Sequence, residues 1–198
     1  MRAIRRFLGL TCAVLLAQVF LTWGLGLASA SASTMQCSSS PIPSGYVVTG
    51  ISTTISCGTA PNNTYYLSPA ASGVAMCSAA TPVPSGYVAK GVVNTTGCGP
   101  SYGNGNTYYL TVPQNGTAMC SVASPVPSGY VATGITNTTG CGPSVSPGNT
   151  YIIRQPVSGT AMCNQASSPP PGWVITGSAN TTGCGPSASG GNTSWIKP

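Results

Sequence analysis

The sequence predicts an all-β protein: four tandem disulfide-stapled β units of about 43 residues in a linear array, with a closed four-bladed, propeller-like ring as the alternative. Three observations predict it. Cys77, Cys120 and Cys163 lie 43 residues apart, and so do Cys98, Cys141 and Cys184. The Asn-Thr pairs beginning at Asn63, Asn106, Asn149 and Asn192 keep the same spacing. Every copy also sets β-branched and aromatic runs between Gly and Pro, and no window carries a helical period of any length.

The repeats are preceded by a segment of a different kind. Residues 1–32 read as a secretory signal: Arg2, Arg5 and Arg6 open it, an apolar stretch runs from Phe7 to Leu27, and Ala28-Ser29-Ala30-Ser31-Ala32 offers two overlapping A-x-A cleavage sites. An uncleaved anchor is the alternative, because the apolar stretch is long enough to cross a bilayer. Cys12 lies inside this segment and leaves with it. The repeats are placed at 33–75, 76–118, 119–161 and 162–198.

Each unit opens on a short apolar piece ending in Cys, such as Ala118-Met119-Cys120. A proline-rich turn follows, as in Pro41-Ile42-Pro43-Ser44-Gly45. The run Tyr46-Val47-Val48-Thr49-Gly50-Ile51 and its equivalents then read as a strand. A Thr/Gly-rich stretch brings the second Cys, as in Asn94-Thr95-Thr96-Gly97-Cys98. A Gly/Asn/Ser loop leads to a further strand, Asn106-Thr107-Tyr108-Tyr109-Leu110. Alternation adds an orientation. Lys90 stands where other copies have Thr49, Thr133 and Thr176, which implies a solvent-facing position. With no bulge at the neighbouring Gly, Val88 and Val92 share that exposed face, and Tyr46, Tyr87, Tyr130 and Trp173 point to the core.

Eight cysteines remain after the leader, and an exported chain oxidises them. Eight allow 105 pairings, but the repeat narrows the field. Each unit owns two, so pairing within units is the simplest closure: Cys37–Cys57, Cys77–Cys98, Cys120–Cys141 and Cys163–Cys184. The rival joins each second Cys to the next unit's first and suits the ring. A loop of roughly 20 residues contributes on the order of 3 kcal/mol in the chain-entropy model, which a unit too small for a self-sufficient core needs. Zinc is the alternative use of paired thiols, disfavoured by the absence of any C-x-x-C and by export.

Composition excludes most chemistry. The chain has no Asp, no Glu and no His in 198 residues. General acid–base catalysis, nucleophilic triads and hard-metal sites draw on those side chains, so neither enzyme activity nor a cofactor is expected. Arg2, Arg5 and Arg6 belong to the leader, while Lys90, Arg154 and Lys197 are scattered; nucleic-acid binding calls for clustered cations. Membrane insertion after cleavage is not expected.

The candidate recognition surface is the Asn-Thr-aromatic strand. Tyr66, Tyr109, Ile152 and Trp195 share one position, and Tyr65, Tyr108, Tyr151 and Ser194 share its neighbour. Adjacent strand residues face opposite sides, so one set packs inward and the other meets solvent. Tyr66, Tyr109 and Trp195 are the candidate ligand-binding residues, set among neutral hydrogen-bonding groups that suit sugar rings. The Thr pairs (Thr53-Thr54, Thr95-Thr96, Thr138-Thr139, Thr181-Thr182) offer a hydroxyl array of the kind an ice-binding surface uses, or solvated turns. Asn94, Asn137 and Asn180 are glycosylation acceptors in a glycosylating host. The function expected is a non-catalytic secreted structural, matrix or adhesive repeat protein of the cell exterior, partnered by itself. The alternative is a multivalent, lectin-like binder of extracellular glycans; an antimicrobial or ice-binding protein is weaker still.

Overall fold

The computed structural model describes residues 33–198; the expected leader lies outside them. Twelve strands form four three-stranded antiparallel sheets, one per unit. Unit 1 holds β1 (Thr34–Cys37), β2 (Tyr46–Ser52) and β3 (Thr64–Pro69). Unit 2 holds β4 (Ala75–Cys77), β5 (Val88–Val93) and β6 (Thr107–Thr111). Unit 3 holds β7 (Thr117–Cys120), β8 (Val131–Thr136) and β9 (Thr150–Arg154). Unit 4 holds β10 (Thr160–Cys163), β11 (Val174–Ala179) and β12 (Thr193–Lys197). In every sheet the last strand of the unit is central, with the first and second on its flanks.

The turns follow from the sequence. In the proline-rich turn, Tyr46 N–H donates to Pro43 C=O at 3.1 Å and Gly45 sits at φ +79°. A turn with positive φ at its third residue needs glycine there, and Gly86, Gly129 and Gly172 repeat the conformation. The second cysteine of each unit closes a short 3-10 turn: Ile55–Cys57, Thr96–Cys98, Thr139–Cys141 and Thr182–Cys184. These are the helical turns of the described residues and were not foreseen.

The disulfides pair within units: Cys37–Cys57, Cys77–Cys98, Cys120–Cys141 and Cys163–Cys184. Each ties the first strand of its sheet to the 3-10 turn. The units do not close into a ring; contacts pass from one to the next, β2 to β4, β5 to β7 and β8 to β10.

Two small apolar clusters make each junction. Val48 and Leu67 of unit 1 cover the Cys77–Cys98 disulfide of unit 2, while Val47 packs on Met76 and Leu110. Ala89 and Val92 cover Cys120–Cys141, and Val88 meets Met119 and Ile153. Ala132 and Ile135 cover Cys163–Cys184, and Val131 meets Met162 and Ile196. A unit therefore completes its core with its neighbour's cystine, which is how modules of this size bury enough apolar surface. The end units differ at these positions: Val174 and Ile175, which stand where unit 3 has Val131 and Ala132, are 51% and 53% exposed, and some other positions turn polar. Gln36 stands where units 2–4 have Met76, Met119 and Met162, and Ser178 and Ser194 stand where unit 3 has Ile135 and Tyr151.

One expected orientation is corrected. Val88 and Val92 are buried, at 0% and 5% exposure, although Lys90 between them is exposed. The registers slip between Val48 and Gly50, Ala89 and Gly91, Ala132 and Gly134, and Ile175 and Gly177. Each slip is a β-bulge, which adds a residue and breaks the inward–outward alternation. The slip puts Val92 on the side of Ala89, in one cluster, while Val88 is buried because Met119 and Ile153 of the next unit cover it. Tyr87 and Tyr130 are half-buried, their hydroxyls donating to the Ala70 and Pro113 carbonyls of the preceding unit at 2.8 and 2.9 Å. Tyr46, in the first unit, is exposed.

Candidate functional site

The Asn-Thr pair that opens each central strand is scaffold. Asn106 is buried, with Nδ2 donating to the Thr95, Gly99 and Pro100 carbonyls at 2.9, 3.0 and 3.2 Å. Its Oδ1 accepts from Thr95 N–H at 2.8 Å and from Thr107 Oγ1 at 2.9 Å. Thr107 Oγ1 in turn lies 2.6 Å from Thr95 Oγ1. Asn63, Asn149 and Asn192 bond their own turns in the same way. The amide pins the 3-10 turn, and with it the disulfide, to the sheet; a buried amide so satisfied is a fixed point of the fold.

One hydroxyl of each Thr pair is tied into the scaffold, while Thr53, Thr96, Thr139 and Thr182 are exposed. Thr54, Thr95, Thr138 and Thr181 each share a hydrogen bond with the buried Thr64, Thr107, Thr150 and Thr193. Thr54, not Thr53, is the equivalent of Thr95, so the pair in unit 1 is displaced by one residue. Asn137 and Asn180 clamp their loops: the Oδ1 of Asn137 accepts from Val145 and Asn149 N–H, and that of Asn180 from Ala188 and Asn192 N–H. Asn94 does the same toward Tyr102.

The two aromatic sets separate as alternation requires. Tyr65, Tyr108 and Tyr151 pack against the junction clusters, and Ser194 is buried. Tyr66, Tyr109, Ile152 and Trp195 occupy the opposite, outer face, where they are half-buried or exposed. Their neighbours are uniform. Tyr66 lies between Met35 and Gly50, Tyr109 between Ala75 and Gly91, Ile152 between Ala118 and Gly134, and Trp195 between Ala161 and Gly177.

The glycine is what lets the ring lie down. A Cβ on Gly50 would stand 3.2 Å from Tyr66 Cδ2, and one on Gly91 3.4 Å from Tyr109 Cδ2. Each ring rests on bare backbone of the bulged strand. Around it stand neutral hydrogen-bonding groups. Thr49 Oγ1 donates to Tyr66 C=O at 3.3 Å, Thr133 to Ile152 C=O at 3.3 Å, and Thr176 to Trp195 C=O at 3.1 Å.

The charges lie on this face as well. Arg154 follows Ile152 by two residues and Lys197 follows Trp195 by two, both exposed, while Ile153 and Ile196 between them are fully buried. Lys90 is the extra residue of its bulge, exposed beside Gly91. A groove of about 440 Å³ runs from the outer face of unit 3 to the start of unit 4, lined by Thr133, Arg154, Val157, Ser158, Thr160 and Ala161 among others. Sequence reasoning took the three cations as scattered. Their offset of two from an aromatic-row position was the available signal for Arg154 and Lys197.

Grooves of a second kind separate successive proline turns. One of about 440 Å³ is bordered by Pro84, Tyr87, Pro113, Pro125 and Tyr130, and another of about 340 Å³ by Pro125, Tyr130, Pro169 and Pro170. No protein-family model, no curated protein and no solved structure matches the chain.

Proposed function

We propose that the protein is a non-catalytic structural and adhesive repeat array of the cell exterior. The observation that carries this reading is the division of labour within each unit. Buried Asn, paired Thr and cystine hold the scaffold, while the outer face presents a large apolar side chain beside a glycine in all four units. Four disulfides suit an oxidising compartment, and no helix among the described residues is long and apolar enough to cross a membrane. The chain offers no carboxylate or imidazole side chain for acid–base work.

Self-association through the repeated outer faces is the contact this reading requires, with the exposed Val174 and Ile175 of unit 4 as the competing end-to-end contact. Light scattering on the oxidised protein tests this. Assembly that Tyr66→Ala and Tyr109→Ala weaken together supports it; a strict monomer at millimolar concentration overturns it.

The second reading, multivalent glycan binding, rests on the glycine-supported rings. A ring lying on backbone has one face free for the axial C–H groups of a sugar, and three copies (Tyr66, Tyr109 and Trp195) add avidity. A polysaccharide screen tests it: saturable binding lost on combined Tyr66, Tyr109 and Trp195→Ala substitution supports it, and its absence on folded protein removes it.

A further inference from the structure

All three cations of the described residues, Lys90, Arg154 and Lys197, stand on the outer faces that carry the aromatic row. No Asp or Glu occurs anywhere in the chain, so no acidic side chain of its own can pair with them. Arg154 also lines the groove at the junction of units 3 and 4, with Thr133, Ser158 and Thr160, and Ala161 in that groove is the strand partner of Trp195. The position of Thr133 is that of Lys90 in unit 2. Groove, cation and ring thus meet at one place, the junction of units 3 and 4.

We infer that this outer face binds an acidic polysaccharide, one bearing carboxylates. The inference rests on the glycan-binding reading and gives it a substrate class. Sugar rings stack on Tyr109 and Trp195, and the carboxylates pair with Lys90, Arg154 and Lys197. Arginine presents a planar fork that matches a carboxylate with two parallel hydrogen bonds, and the Thr and Ser hydroxyls beside it suit sugar hydroxyls. Charge complementarity decides the polymer class: a surface with cations and no anions selects an anionic partner and repels none of its charges. Nucleic acid is the poorer fit. It carries a phosphate charge about every 1.7 Å and is gripped by clustered cations, whereas here single charges stand on three different units. An anionic membrane is poorer too, because the face has no basic amphipathic segment to insert.

The test uses the oxidised protein and polygalacturonate, with fully methyl-esterified polygalacturonate as the matched neutral polymer. Calorimetry at low salt is expected to show micromolar binding to the free acid. Esterification, or about 0.5 M NaCl, is expected to weaken that binding at least tenfold. The triple variant Lys90→Thr, Arg154→Gln, Lys197→Gln is expected to match the esterified result. Lys90→Thr installs the residue found at that position in the other units, so folding is not at stake; far-UV circular dichroism confirms it. Equal binding of the acid and the ester overturns the charge assignment and leaves glycan binding standing. Binding to neither polymer, nor to any other polysaccharide, removes both. Equal affinity for sulfated polysaccharide overturns the carboxylate assignment, and tighter binding to single-stranded DNA or to anionic vesicles overturns the polymer class.

Discussion

Asn106 holds both backbone groups of Thr95: its Oδ1 accepts from the Thr95 N–H at 2.8 Å and its Nδ2 donates to the Thr95 C=O at 2.9 Å. The same side chain reaches Gly99 and Pro100 on the far side of the 3-10 turn. Truncation to Ala leaves these backbone groups unpaired in a buried place, and each such loss costs about 1–3 kcal/mol. Asn106→Ala is therefore expected to lower the unfolding free energy by about 3 kcal/mol, read from guanidinium denaturation. A loss under about 1 kcal/mol would show that water replaces the amide without penalty.

The same amide provides a pH probe, because the natural chain has almost nothing to titrate. Acid unfolding arises mainly from native carboxylates and buried His, and there are none here. The melting temperature is expected to stay nearly flat from about pH 3 to 8. Asn106→Asp breaks that flatness in a defined direction. A carboxylate facing the Thr95, Gly99 and Pro100 carbonyls is buried among acceptors, which raises its folded pKa above the usual value of about 4. Between the two pKa values the folded state binds more protons than the unfolded one, so stability falls as pH rises. The variant is expected to melt near the natural protein at pH 3 and well below it at pH 7. A flat profile for the variant would mean that the site opens to solvent.

Part of this design was legible in the sequence. A spacing of 43 residues gave the unit, its two cysteines gave the within-unit pairing, and the β-branched runs gave the strands. The bulge was not legible, because Thr49-Gly50 and Lys90-Gly91 read as ordinary strand residues; only pairing with the central strand shows the extra residue. Assigning Val92 to the solvent side failed for that reason, and Val88 because the next unit's Met119 and Ile153 cover it. The junctions were hidden as well. That Val48 covers its neighbour's cystine is a tertiary fact with no local signature. Asn106 was noted for its recurrence, but a buried hub and a surface residue look alike until the turn it reaches is known.

The glycines beneath the rings give a graded series. A Cβ would meet the ring at 3.2 Å in Gly50→Ala, at 3.4 Å in Gly91→Ala and at 3.8 Å in Gly177→Ala. The first is tighter than ordinary contact and the last is not. Gly50→Ala is expected to tilt Tyr66 and cost about 1 kcal/mol, in the range of mild overpacking. Gly177→Ala is expected to be neutral or slightly stabilising, since alanine restricts the unfolded chain. Thermal melts and the near-ultraviolet circular dichroism of the tyrosines report both effects. An equal loss at all three positions would mean that ring contact is not what the glycine serves.

Burial separates the first disulfide from the other three. Cys77, Cys98, Cys120, Cys141, Cys163 and Cys184 are at most 2% exposed, each pair lying under the preceding unit, whereas Cys37 and Cys57 are only partly buried. Thiol–disulfide exchange needs an attacking thiolate to reach the sulfur. In native buffer, a mild reductant is expected to open Cys37–Cys57 alone, seen as two alkylated cysteines by mass spectrometry, with the other pairs intact until denaturant is added. Val48→Ser uncovers the Cys77–Cys98 bridge without touching it, and is expected to add that pair to the reducible set. Simultaneous reduction of all four in the natural protein would mean that the junctions open together, and the array would then be held by its staples rather than by the packing between units.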